Sequence, residues 1–546
     1  VAETLPHNLT TLLALFTDMP YYEDAVRKAT LNKKAMAKAP NEVLWKYSAA
    51  DADALPRLEE ALLPIIEDEG TGWVLHNVTY PLLRVCREME ENGMPIDGVW
   101  FDTLCSWYRD RKAEKEEELW ACVPQYGRLW KYNYPPTLQQ ILFKDLKLAR
   151  PTKKTKGSRG CEACELGTCF KHDTTGEDAL RESYEQTPHP IIPILLELKN
   201  LTKHLSTYLD GGKGGWRRYI RADGRVHASY KISRVETGRL ASEKPNAQNQ
   251  PKGVAIPELE TENAFRDIIC APEGQGIMSS DWNQLEVWGM AYRLAQDFGD
   301  TTLLDILLSG RDIHCVVGRM LYPDIDPDLT EGAWREIHKD LRDKAKVFVF
   351  GVDYGLTVPG AAQRLHSDED TAAELMTRYM RNIPGLPRYV RAVRRELLEE
   401  GIGHNIFGRL RHGGAARILE AMRRHHDLDD LVREFQNMGI QSVGSDLHSI
   451  VSDLTIRHEP LLKRGVRAIL SVHDSLTFTF DWPNHEYAVQ SAWIIKNLWQ
   501  ETARNLILAD GSRLGWEVPV EVEWGRTWGS PEFKLTARGE VLSLKE

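Results

Sequence analysis

The sequence predicts an α+β protein in which a small sheet is embedded among many helices. Apolar residues recur with helical spacing along most of the chain. Two apolar runs rich in strand formers, 468–472 and 477–480, face each other across the tight segment His473–Asp474–Ser475. A third alternating run, 276–281, ends on an aspartate.

In chain order, residues 1–70 read as helical, with Leu9, Leu12, Leu13 and Phe16 on one stripe and Leu55, Leu58, Leu62 and Leu63 on another. Helical text continues over 80–150, is interrupted by Gly, Lys and Cys over 151–176, and resumes over 178–210 around Ile191, Ile194, Leu195, Leu198 and Leu201. Residues 225–230 alternate as a strand does. The stretch 300–450 is largely helical, with breaks expected near Pro359, Pro384 and Gly413.

A chain of 546 residues is too long for one core, so several subdomains are expected. With 42% hydrophobic and 27% charged residues it has the composition of a soluble globular protein, and neither a bilayer-spanning run nor a signal peptide is present. It opens on Val1 rather than Met, as a processed or trimmed fragment does. Eight cysteines are too few for a disulfide scaffold at this length, so reduced thiols inside a cell are expected. The net charge of −11 does not exclude a nucleic-acid partner, because the relevant field is local. Lys144, Lys147, Arg150, Lys153, Lys154, Lys156 and Arg159 surround the single acid Asp145. Further clusters stand at 217–218, 391–395 and 409–411; each reads equally well as a solvated helix face.

Two aspartates stand where acids need explaining. Asp281 ends a strand-like run and precedes a helix-like one, while Asp474 sits in the turn between two apolar strands. Either alone is often just a turn former. Together, on neighbouring strands, they suit a pair of Mg²⁺ ions about 3.5–4 Å apart, one activating a hydroxyl and the other stabilising a leaving pyrophosphate. Arg342, Lys346, Phe350 and Tyr354 recur every four residues, which on a helix forms one face. Its cations suit a triphosphate and its rings suit a base; the bland alternative is an amphipathic helix with a cationic end.

These residues resemble the motifs of family A DNA polymerases, in the family's order. Residues 281–286 (Asp-Trp-Asn-Gln-Leu-Glu) are similar to motif A, Arg342…Lys346…Phe350…Tyr354–Gly355 to motif B, and Val472–His473–Asp474 to motif C. Further similarities are Thr237–Gly238–Arg239–Leu240, Pro245 to Asn249, Asp312–Ile313–His314, Arg433…Asn437…Gln441, and Leu205 to Tyr208 at the end of a thumb. The resemblance covers about 75–530 and implies a right-hand fold: antiparallel palm sheet, helical fingers and thumb. It divides the chain into an exonuclease-domain remnant (1–70), a thumb with connecting helices (71–215) carrying a Cys-rich insertion (157–176), palm (216–298), fingers (299–415) and palm again (416–546).

It also implies roles. Asp281 and Asp474, with the backbone carbonyl of Trp282, ligate two Mg²⁺ ions, for which Mn²⁺ can substitute. Arg342, Lys346 and His314 bind the triphosphate, and Lys346 protonates the pyrophosphate. Phe350 packs on the incoming nucleotide, Tyr354 stands near the templating position, and Gln284 lies beside the substrate. Glu286 occupies the ribose 2′ position, so deoxynucleotides are the expected substrate. Arg239, Arg433, Asn437, Gln441 and His473 contact primer–template DNA, mostly on the minor-groove side, where acceptors are shared by all base pairs. Phe350 in place of tyrosine implies poor use of dideoxynucleotides. Three departures from the family stand out: Ser475 where a glutamate is usual, Trp288 for an arginine and Ala247 for a leucine. The first removes a third acid near the metals, so its accessory role is absent or supplied elsewhere.

Tyr47 and Asp51 resemble the last motif of a 3′–5′ exonuclease; its other carboxylates would precede residue 1, so no proofreading is expected from this chain. Cys161, Cys164, Cys169 and His172 match a structural zinc site in ligand type, the alternative being unligated thiols. By position that loop would decorate the thumb, to grip DNA or recruit a replication partner. A monomer is expected, with no membrane partner, in the cytoplasm of a bacterial or phage-infected cell. Competing readings are a single-subunit RNA polymerase, disfavoured by Gln284–Leu285–Glu286, and a catalytically dead DNA-binding protein, disfavoured by Asp281, Asp474 and Lys346.

Overall fold

The computed structural model describes residues 8–30, 36, 38–128, 130–155, 158, 161–166, 169–212, 214–351 and 355–544. Its strand signals close into a six-stranded antiparallel sheet: β1 (Gln275–Trp282), β2 (Arg467–Val472), β3 (Ser475–Asp481), β4 (Val520–Gly525), β5 (Phe533–Leu535) and β6 (Val541–Ser543). The spatial order is β6–β5–β4–β1–β3–β2, which puts β1 at the centre. Alternation in β1 and its neighbours sends one set of side chains inward. Phe478, Met278 and Trp524 are register partners across β3, β1 and β4, and all are fully buried. The expected strand at 225–230 is instead two short strands, Arg225–Val226 and Ser229–Lys231, each pairing elsewhere.

Helices surround this sheet in several packed clusters. Tyr80–Asn92 buries Leu82, Val85 and Met89 in the sheet's core, where Trp282, Trp499 and Trp516 also meet. A second, all-helical core gathers Val317, Phe348, Leu375, Tyr379 and Leu386. A third is built on Leu119, Ile141, Leu142, Leu195 and Leu198. Two helices straddle the first two cores. Leu285–Phe298 gives Leu285 and Trp288 to the sheet core, and Met290 and Leu294 to the helical one. The 33-residue helix His425–Arg457 gives Leu431 and Phe435 to the helical core, and Val443, Leu447 and Val451 to the sheet core. The expected breaks fall at element ends: Pro359 in the first turn of Val358–Leu365, Pro384 before Gly385–Glu399, and Gly413 after the short strand Leu410–His412.

Among the described residues no helix is long and apolar enough to cross a membrane. One buried cation fastens the far side of the sheet. Lys496, on helix His485–Asn505, is 3% exposed and donates to the carbonyls of Val520 (2.7 Å), Thr536 (2.8 Å) and Ala537 (2.9 Å). Burial pushes its pKa down to about 8, with Glu521 opposing; three carbonyl acceptors suit the three donors of the charged form. Lys496→Met strands those carbonyls. It is expected to lower the unfolding free energy by about 3 kcal/mol, seen as a fall in urea midpoint at unchanged slope. An unchanged midpoint would show that the three bonds contribute nothing net.

Candidate active site

The sheet's open face carries its acids in register. Asp281 on β1 is the pairing partner of Ser475 on β3 and of Glu521 on β4, so the three project side by side. The next row runs Thr477, Ser279, Glu523, Lys534, with a 3.2 Å hydrogen bond between the Ser279 and Thr477 hydroxyls. β1 and β3 lie this close partly because Gly276 has no side chain: a Cβ there would fall 2.6 Å from the Phe480 ring. Asp474 reaches the first row from the β2–β3 turn, where His473 holds a left-handed backbone (φ +54°). A non-glycine residue in that region is strained, and such strain clusters at functional positions. Ser475 Oγ donates to the Val472 carbonyl at 2.8 Å and closes the turn.

These groups line a cleft of about 610 Å³ that holds Asp281, Asp474, Glu521, Glu523, Lys534 and Lys252. Water touches the Asp281 carboxylate, but protein crowds it on several sides. Burial, then the charges of Asp474, Glu523 and Glu521, push its pKa up to about 7 against the pull of Lys252. Asp474 is also raised by burial, opposed by its backbone N–H, Arg239 and His473. Hard oxygen donors with unbalanced negative charge fit a divalent cation such as Mg²⁺. The Trp282 ring is buried against Trp499 (centroids 5.2 Å apart), which fixes the backbone at the end of β1.

Gln284, also left-handed (φ +58°), starts helix Leu285–Phe298 and sets Glu286 in its first turn. Glu286 is ion-paired with Arg239, bringing two predicted site residues together. Burial raises the Glu286 pKa, with Arg239 opposing and Asp474 adding to the rise. The long helix approaches here: a Cβ on Gly444 would meet Leu285 Cδ2 at 3.4 Å and Glu286 Cγ at 4.0 Å. Asn437 and Gln441 precede Gly444 at spacings that share its helix face. Arg433 pairs with Asp430 and packs over Gly355, where φ is +70° and a Cβ would lie 2.4 Å from Arg433 Cγ.

Arg342 and Lys346 stand one turn apart on helix Lys339–Gly351. Asp312 caps helix Ile313–Leu321, accepting from the backbone of His314 (3.0 Å) and Cys315 (3.3 Å), and its other oxygen holds Arg342 at 2.9 Å. His314 is buried beside them; burial pushes its pKa down to about 4, Asp312 opposing and Arg342 and Lys346 adding to the fall. It is therefore neutral at pH 7 and offers an N–H rather than a charge. Lys346 rests on Asp343 at 2.7 Å. The Phe350 side chain and all of Tyr354 lie outside the described residues.

Away from the sheet, Cys161, Cys164, Cys169 and His172 converge, their ligand atoms all within 4.8 Å of one another. His172 Nδ1 lies 3.2 Å from Cys164 Sγ and 3.5 Å from Cys169 Sγ. A tetrahedral Zn²⁺ with Zn–S of about 2.3 Å spaces thiolates about 3.8 Å apart, so the cluster fits it in size and chemistry. Arg150 and Lys154, read as part of a basic cluster, both pair with the fully buried Asp173 next to His172. Lys156 and Arg159 of that cluster lie outside the described residues. In the N-terminal helices, Asp51 accepts a 2.6 Å hydrogen bond from Tyr22, whose ring lies 5.7 Å from that of Tyr47.

Sequence reading passed over Glu521, Glu523 and Lys534. Their signal was present in the alternation Val520–Glu521–Val522–Glu523, an apolar-in, acid-out strand.

The family model described as DNA polymerase family A matches residues 107–530. DNA polymerase I of Chloroflexus aurantiacus is 28% identical over 502 residues, 90% of this chain and 47% of that protein. The thermostable DNA polymerase I of Thermus filiformis is 27% identical over 513 residues, 93% of this chain and 51% of its own length. The chain thus spans about half the length of the curated relatives it matches. Among solved structures, the POL domain of Pol1 from M. smegmatis, in complex with DNA primer-template and dNTP, superposes with a TM-score of 0.73 at 23% identity, covering 97% of this chain and 80% of that one. The fold is shared.

The raised Asp281 pKa has a signed consequence without metal. Between the unfolded value of 3.8 and about 7 the folded state binds the extra proton, so Asp281's contribution to stability is full below pH 3.8 and is lost as pH rises through 7. In EDTA, Asp281→Asn is expected to unfold at higher urea than wild type at pH 8, with the gain shrinking towards pH 4. A gain that ignores pH would rule out charge crowding as its source.

Proposed function

Since the chain belongs to DNA polymerase family A, we propose that it is a template-directed DNA polymerase, adding deoxynucleotides to a primer 3′-hydroxyl and releasing pyrophosphate. The observation that carries this reading is the meeting of Asp281 with the Asp474 turn across β1 and β3, in a cleft whose donors suit Mg²⁺. Asp281, Asp474 and the Trp282 carbonyl would hold two Mg²⁺ ions, which when bound make the 3′-hydroxyl a better nucleophile and stabilise the leaving pyrophosphate. Arg342, fixed by Asp312, and Lys346 offer a bidentate fork and a point charge to the triphosphate, with a neutral N–H from His314. Lys346 would be the proton donor to pyrophosphate, and Gln284 would border the nucleotide. Glu286 fills the place a 2′-hydroxyl would take. Arg239, Arg433, Asn437, Gln441 and His473 follow the primer–template end. In this reading 71–215 is thumb, 299–415 fingers, and 216–298 with 416–546 palm.

Primer extension with Mg²⁺ tests the reading. Wild type is expected to extend a primed DNA template, Asp474→Ala to lose at least about 10³-fold in rate, and Glu286→Ala to gain use of ribonucleotides. Asp51, hydrogen-bonded to Tyr22, would by itself not hold the pair of metal ions an exonuclease needs, so no nucleotide is expected to be released from a mismatched 3′ end. No extension by wild type on any template would turn the reading towards a DNA-binding protein.

We further propose a structural Zn²⁺ at Cys161, Cys164, Cys169 and His172, supported by the donor set and its 4.8 Å compass. One zinc per chain is expected by elemental analysis, falling to none in Cys161→Ser/Cys164→Ser, with weaker binding to duplex DNA if the loop grips it. Wild-type protein that stays zinc-free after refolding in zinc would leave the four as plain thiols and imidazole.

A further inference from the structure

We propose that Glu521 on β4 supplies the third carboxylate of the metal site, on the opposite side of Asp281 from Ser475; the inference rests on the polymerase reading above. The pairing register is its basis. Ser475, Asp281 and Glu521 form one cross-strand row on the open face of the sheet, and directly opposed side chains lie about 4.5–5.5 Å apart at Cβ. Glu521 is therefore as near a neighbour of Asp281 as residue 475 is, on the other flank. Ser475 brings no carboxylate, and its hydroxyl is already committed to the Val472 carbonyl. Lys534, from β5, grips Glu521 Oε2 at 2.7 Å and Glu523 Oε1 at 3.1 Å, which fixes the direction of both acids. The cleft then sets four carboxylates, Asp281, Asp474, Glu521 and Glu523, against three cations, Lys252, Arg266 and Lys534. The carboxylates still outnumber these cations, a balance that favours a bound divalent cation. Glu521 would act on the ion beside Asp281, directly or through a coordinated water, where outer partners of this kind typically affect affinity by about 10–100-fold. Glu523, one row further along the sheet, would orient Lys534.

The experiment compares wild type, Glu521→Gln, Glu521→Gln/Ser475→Glu and Lys534→Met. Mn²⁺ binding is read by electron paramagnetic resonance, and the Mg²⁺ concentration for half-maximal primer extension is measured alongside, with urea midpoints checking the fold. Glu521→Gln is expected to bind Mn²⁺ about 10-fold more weakly and to need correspondingly more Mg²⁺. Moving the acid across the row with Ser475→Glu should restore both. Unchanged Mn²⁺ affinity in Glu521→Gln overturns the proposal. So does a loss that Ser475→Glu fails to restore and Lys534→Met reproduces, which marks a plain ion pair. If wild type extends no primer, the polymerase reading fails, while the Mn²⁺ measurement still decides the place of Glu521.

Discussion

The register of β1 between β3 and β4 is the constraint on which the rest of this structure depends. A slip of one residue would turn every side chain of β1 to the opposite face, sending Asp281 into the core and Met278 into water. What prevents the slip lies behind the acids. Phe478, Met278 and Trp524 interlock across the three strands and are fully buried, each worth roughly 1.5–3 kcal/mol of transfer free energy. The carboxylates on the front repel one another; the apolar row on the back holds them in place.

The straddling helices extend that precision outwards. Helix His425–Arg457 packs its first half into the helical core and its second into the sheet core. Buried Asp446 on this helix binds Arg409 at 2.6 Å and Asn405 at 2.8 Å, fastening the segment between the short strands Ile402–His404 and Leu410–His412 to it. A rigid rod about 50 Å long thus carries Arg433, Asn437 and Gln441 at fixed spacing between the two cores.

Much of this was legible in the sequence because the signals were local. The strand pair around His473–Asp474, the strand ending at Asp281 and the four-residue spacing of Arg342 and Lys346 need only neighbouring residues to be read. Contacts distant in sequence were not legible. Arg409, Arg411 and Arg150 looked like parts of a diffuse positive field, yet each closes on an acid far along the chain: Asp446, Glu434 and Asp173. The acids of β4 were missed for a related reason. A five- or six-residue alternation says that a strand exists, not which strand it will lie beside, and only the pairing puts Glu521 next to Asp281. Left-handed backbone at Gln284 had no sequence signal, and at His473 only the weak one of a residue type that enters that region more often than most.

The ion pair between Arg239 and Glu286 couples two tasks in one bond. Before DNA and nucleotide arrive, the residue that would face the primer end and the residue that would face the sugar neutralise each other. On the proposed reading, a group taking either position would compete with that bond. On that reading, a change at Glu286 would do two things at once: widen the space at the sugar and release a guanidinium beside the primer. On the polymerase reading proposed above, sugar selectivity and primer grip would be one trait rather than two, and selection on either would move both.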